Sequence, residues 1–209
     1  MNDPTPGPSF VNEPDGPLGG DAPRVSVFGE GRKTYIIVPG LGNSGPAHWQ
    51  SLWQKTLPNA IRVEQRDWEN PTKSEWLLAL EKTVQQAPGD CVLIAHSLGV
   101  ALVAHWAMNF HSSKVRAALL VSPSDVDSAE HTPDSVRGFA PMPLQRLPFR
   151  STVVASSNDP FVTLARATQF AQAWGADLVN IGPCGHINAE SNLAHWPQGW
   201  KLLSDLYAA

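Results

Sequence analysis

The chain reads as an α/β protein, a doubly wound, mostly parallel sheet of about six strands flanked by helices. Three observations predict this. Short runs of β-branched and aliphatic residues recur along the sequence, and longer stretches of helical period separate them. Four of the runs are apolar almost throughout, as strands covered on both faces must be. The length, 209 residues, suits one such domain.

The strand candidates are Tyr35–Val38, Ile61–Val63, Cys91–Ala95, Ala117–Val121, Thr152–Ala155 and Leu178–Ile181. Between the first two, Trp49, Leu52 and Trp53 share one helical face. Thr72 followed by Glu75 reads as a capping box opening a helix through Trp76, Leu80 and Val84. From Leu98 to Phe110 nearly every residue is apolar, with His105 and Asn109 forming a narrow wet edge, so this helix is expected to be the most buried. Leu164, Ala167, Ala171 and Trp174 mark a further helix, and Trp200, Leu203 and Tyr207 the last. In such a series, ligands bind beyond the carboxyl ends of the strands.

Residues 1–32 differ from the rest. Pro4, Pro6, Pro8, Pro14, Pro17 and Pro23, with five glycines among the first 30 residues, leave too little apolar surface to offset the entropy of ordering, so a flexible extension is expected, with Val25 and Val27 as a marginal edge strand. Residues 33–209 form the expected domain. Charged residues are only 16%, with 15 basic against 19 acidic, which argues against a dedicated nucleic-acid binder. No apolar run approaches the roughly 18 residues that span a bilayer, and no stretch resembles a signal peptide, so a soluble, cytoplasmic protein without membrane contact is expected. Cys91 and Cys184 lack metal-ligand spacing, and in this fold they fall at opposite ends of the sheet, too far apart for a disulfide.

The chemistry-bearing residues cluster at strand ends. Ala95-His96-Ser97-Leu98-Gly99 joins a strand to the buried helix. A serine with a small residue two positions away on either side suits a nucleophile elbow, although Ala95 stands where glycine is usual. A nucleophilic serine needs a base, and the base an orienting carboxylate, the acid preceding the histidine along the chain. Asp159 follows the fifth strand and His186 the sixth, each in a loop broken by proline or glycine. Asp125 and Asp127, one strand earlier, are alternative acids. His96, His105, His111, His131 and His195 are weaker candidates for the base, while His48 lies soon after the first strand, near where a substrate would sit. Pro39-Gly40-Leu41-Gly42 faces the elbow, and its glycines allow close backbone approach, so the Leu41 and Leu98 amides are the expected oxyanion donors. Gly40, Gly42, His48, Trp49 and Phe161 are the expected substrate contacts. The Pro123–Arg150 segment, with Phe139, Met142 and Leu147, is expected to line an apolar pocket with Trp49 and is too short for a full lid.

These motifs, with His48-Trp49, Ser157-Asn158-Asp159-Pro160-Phe161 and Gly185-His186-Ile187-Asn188, resemble the small serine hydrolases of the α/β-hydrolase superfamily grouped with retinoblastoma-binding protein nine and the YdeN-like bacterial proteins. The resemblance spans nearly all of residues 33–207. It implies an α/β-hydrolase fold with a minimal cap, a Ser97–His186–Asp159 triad, and hydrolysis of small esters or amides, including peptide-like acyl substrates, without metal or organic cofactor. An idle hydrolase fold kept for binding, or acyl transfer to another acceptor, would use the same residues. No Leu-x-Cys-x-Glu stretch is present, so a protein partner has no support in the sequence.

Overall fold

A computed structural model describes residues 33–208 apart from residue 111. The extension at 1–32 and the Val25/Val27 strand lie outside the described residues.

Six parallel strands run in the order β2-β1-β3-β4-β5-β6. They are β1 (Lys33–Val38), β2 (Ala60–Arg62), β3 (Asp90–His96), β4 (Val115–Val121), β5 (Arg150–Ala155) and β6 (Asp177–Asn180). Helices α1 (Trp49–Thr56), α2 (Lys73–Gln86), α3 (Leu98–Asn109), α4 (Leu164–Trp174) and α5 (Pro197–Ala208) connect or follow them. Each predicted apolar run overlaps a strand. The central four are buried along most of their length, whereas β2 is half-buried and β6 largely exposed, as befits the two edges.

Strand pleating divides the core in two. Ile36, Val38, Leu93, Ala95, Leu120 and Val153 face α2, α3 and α4. Tyr35, Ile37, Val92, Ile94, Leu119 and Val154 face α1 and α5. The split follows from right-handed crossovers: β1 to β2 runs toward one edge and β2 to β3 back toward the other, so α1 and α2 fall on opposite faces. That reversal makes the β1/β3 junction a topological switch point, with a crevice at its carboxyl end. Among the described residues no helix is long and apolar enough to cross a membrane.

Helix α3 is the most enclosed, buried from Leu98 through Ala107. The expected wet edge is absent at His105, which is buried and donates from Nε2 to the Phe139 carbonyl at 2.5 Å. Thr72 does cap α2 by position, but its side chain makes no capping bond, and Glu75 instead pairs with Arg66 at 2.8 Å. Of the segment expected to line an apolar pocket, Phe139, Met142 and Leu147 enter the core beside α2, α3 and α4, while Pro133 and Val136 line the cavity that holds Ser97.

Gly99 shows how tightly β1 meets α3. A Cβ there would stand 2.3 Å from the Val38 carbonyl oxygen and 2.7 Å from that of Pro39, both backbone atoms with little freedom to yield. Gly99→Ala is therefore expected to lower stability by about 2 kcal/mol or more, read as a fall in thermal midpoint. Gly138→Ala, whose Cβ would meet nothing within 4 Å, is the control that stays near wild type.

Candidate active site

The chain turns abruptly where β3 becomes α3. Ser97 sits at φ 58, ψ -126, a region that residues with side chains rarely occupy. Its amide still bonds the Val121 carbonyl at 3.0 Å, so the ladder holds one side of the turn while the helix takes the other. Space for the turn comes from Gly40, where a Cβ would lie 2.7 Å from Ser97 Cβ and 3.1 Å from the Leu98 nitrogen. The Gly40–Leu41 peptide is thus brought against the start of α3. Neither the Leu41 nor the Leu98 amide has a backbone acceptor among the described residues. Both leucines line the same cavity as Ser97.

From β6, the loop Gly182–Gly185 delivers His186 onto the serine. His186 Nε2 lies 2.8 Å from Ser97 Oγ, and Nδ1 lies 2.9 and 3.0 Å from the two carboxylate oxygens of Asp159. The Asp159 side chain is fully enclosed and also accepts from the Phe161 amide at 2.9 Å. Because a carboxylate only accepts, Nδ1 carries the proton; Nε2 is then the acceptor, and the Ser97 hydroxyl donates to it. Hydroxyl, imidazole and carboxylate form one hydrogen-bonded series whose ends lie just after β3 and after β5.

A model of the serine hydrolase family matches residues 35–205. The chain belongs to that family. Among solved structures, a YdeN-like hydrolase from Pectobacterium atrosepticum is 30% identical, with a TM-score of 0.75 over 85% of this chain and 91% of that one. The ydeN product of B. subtilis is 19% identical, with a TM-score of 0.70 over 85% and 100%. Est1E from Butyrivibrio proteoclasticus, solved with ferulic acid bound, is 16% identical, with a TM-score of 0.65 over 85% and 90%. At their identities these last two share the fold. A comparison with curated proteins found no match.

The cavity of this serine hydrolase has a volume of ≈ 370 Å³. Leu41, Leu98, Pro133, Val136 and Phe161 supply apolar walls around Ser97 and His186. Phe161 lies 4.5 Å from the His186 ring, centroid to centroid. Trp49, expected as a substrate contact, does not line the cavity: it is 1% exposed and packs on Trp53 and Trp196 in the opposite layer. The register of α1 points it into the sheet, where its Nε1 donates to the Ile187 carbonyl at 2.8 Å and thereby anchors the histidine loop. Gly40 acts through close packing on the elbow. Gly42, at φ 72, makes a turn whose amide bonds the Trp68 carbonyl, and it too is not part of the cavity wall.

Asp125 and Asp127 are engaged elsewhere in the hydrolase. Arg166 reaches both Asp125 oxygens at 3.2 Å and also pairs with Asp127, whose other oxygen accepts from the Met142 amide. Two contacts have no signal in the sequence. His96 is buried and its Nε2 donates to the His186 carbonyl at 2.9 Å, while burial pushes its pKa well below the ordinary value and keeps it neutral. Ser124, in the loop after β4, places its hydroxyl 2.9 Å from Ser97 Oγ.

His48 caps α1, its Nδ1 accepting from the Gln50 amide at 3.1 Å, so Nε2 carries the proton when the ring is neutral. That Nε2 has no partner among the described residues. Burial, with the positive charges of Arg62 and of protonated His186, pushes the ring down to about 4. An unfolded imidazole takes up its proton near pH 6.5, so between about 6.5 and 4 the unfolded chain holds the extra proton and stability falls as the pH drops. His48→Gln is expected to flatten that dependence by up to about 1.4 kcal/mol per pH unit, measured by urea unfolding across the window.

Proposed function

We propose that the protein hydrolyses small carboxylic esters or amides through an acyl-enzyme on Ser97. The observation that carries this reading is the unbroken series from Ser97 Oγ through the His186 ring to Asp159, at 2.8 and 2.9 Å, on a serine held at positive φ above a helix N-terminus. His186 takes the Ser97 proton as Oγ attacks the carbonyl carbon. Asp159 keeps the ring in the required tautomer and stabilises the imidazolium. The π electrons move to the carbonyl oxygen, which the Leu41 and Leu98 amides receive; each such donor is typically worth about 2.7 to 4 kcal/mol in the transition state. The oxyanion pair then re-forms the carbonyl, the bond to the leaving group breaks as His186 gives its proton to the departing alcohol or amine, and water releases the acyl group by the reverse route.

The cavity favours a compact, mostly apolar acyl group. Pro133, Val136 and Phe161 offer it a surface. The purified protein should turn over short-chain p-nitrophenyl esters, and a fluorophosphonate probe should label the peptide containing Ser97. Absence of both ester and aminoacyl-amide turnover, with no labelling, overturns the reading.

A further inference from the structure

Ser124 comes from a loop whose backbone is fixed on several sides. Ser122 adopts φ 47 and donates its amide to the Val154 carbonyl, which turns the chain at the end of β4. The Asp125 amide bonds the Phe161 carbonyl at 3.0 Å, and the Val126 amide bonds the Ser124 carbonyl at 3.0 Å. Ser124 is 5% exposed, lines the cavity, and has Ser97 Oγ as the hydrogen-bond partner of its hydroxyl. The direction of that bond follows from the proton count. Ser97 has one hydroxyl hydrogen and gives it to His186 Nε2, so between the two serines Ser124 is the donor.

A donor aimed at Oγ acts unequally on the two half-reactions. It ties up a lone pair of the nucleophile and so does nothing to speed acylation. When the acyl-enzyme breaks down, the same hydrogen meets the negative charge returning to Oγ. Ser124 Oγ and His186 Nε2 are each one hydrogen bond from Ser97 Oγ, so they stand at most two such lengths apart, a span that one water bridges.

We propose that Ser124 is a second catalytic hydroxyl that serves deacylation; the proposal rests on the acyl-enzyme reading. The hydrolytic water gives one proton to His186 Nε2 and points its other hydrogen at Ser124 Oγ, while its oxygen bonds to the ester carbon and the carbonyl π pair moves to the oxyanion. On collapse an oxyanion lone pair re-forms the C=O bond, the C–Oγ bond breaks, its electron pair returns to Ser97 Oγ, and His186 returns the proton there. Ser124 donates to Oγ throughout and exchanges no proton. The acyl group leaves as a carboxylic acid.

The test is p-nitrophenyl acetate turnover by the full-length protein and its Ser124→Ala variant, with quenched intact-mass spectrometry to measure the acylated fraction. In a two-step scheme kcat/KM does not contain the deacylation rate. Where deacylation limits turnover, Ser124→Ala is therefore expected to lower kcat and KM together by about 10-fold, with kcat/KM nearly unchanged and a larger acylated fraction at sub-saturating substrate. Ser124→Cys, of similar volume but a weaker donor, should fall between and carries the same readouts if the alanine variant does not fold. A wild-type protein that never acylates overturns the acyl-enzyme reading and this role with it. Normal acylation followed by unchanged deacylation in Ser124→Ala, or a fall in kcat/KM at constant KM, overturns the role of Ser124 alone.

Discussion

Ser97→Ala will lower kcat for a p-nitrophenyl ester by about ten-thousandfold or more, and fluorophosphonate labelling will disappear with it. The methyl group that replaces the hydroxymethyl can neither attack nor donate to His186 Nε2, so the series that begins at 2.8 Å loses its first member. Some acceleration over water should survive, because the Leu41 and Leu98 amides and the cavity walls are untouched. Far-UV circular dichroism of the variant should match wild type, since Ser97 owes its conformation to the ladder bond from its amide and to α3, not to its hydroxyl. Unchanged ester turnover would mean that another residue is the nucleophile.

Asp159→Asn will lower kcat by a comparable factor, about ten-thousandfold. Asp159 is enclosed, and both its oxygens face His186 Nδ1. An amide in its place can turn its NH₂ toward Nδ1, which moves the ring proton to Nε2 and leaves no acceptor for the Ser97 hydrogen. The informative comparison is Asp125→Asn. Arg166 holds Asp125 at 3.2 Å, so that substitution should disturb the Arg166 pairing and lower the melting temperature while activity stays within a few-fold of wild type. A large activity loss confined to Asp125→Asn would move the acid to the end of β4.

What the sequence could convey followed from how many neighbours each feature needs. Strands such as Cys91–Ala95 announce themselves through composition, since burial on both faces constrains every residue. The elbow is legible for a local reason, the small residues flanking Ser97. Asp159 and His186 could be placed because the order of parallel strands decides which loops share an edge. Contacts between loops leave no such trace. Nothing in Ser122-Pro123-Ser124 distinguishes a hydroxyl that touches the nucleophile from one facing solvent, and nothing near Asp125 indicates that Arg166, 41 positions later, will hold it. Trp49 shows the limit within one helix: proximity to the site was readable, yet the direction of its ring depended on where α1 begins, and that start turned it to Trp53 and Trp196.

Ser97 and His186 lie 89 positions apart, in the turns that follow two strands separated by two others in the sheet. No fragment containing only one of them can assemble the proposed chemistry, and a shift in β4 or β5 would carry the imidazole away from the 2.8 Å contact with the hydroxyl. Catalytic turnover is therefore a census of the whole architecture: partly ordered chains should be silent, so the specific activity of a preparation counts the molecules in which every layer has closed.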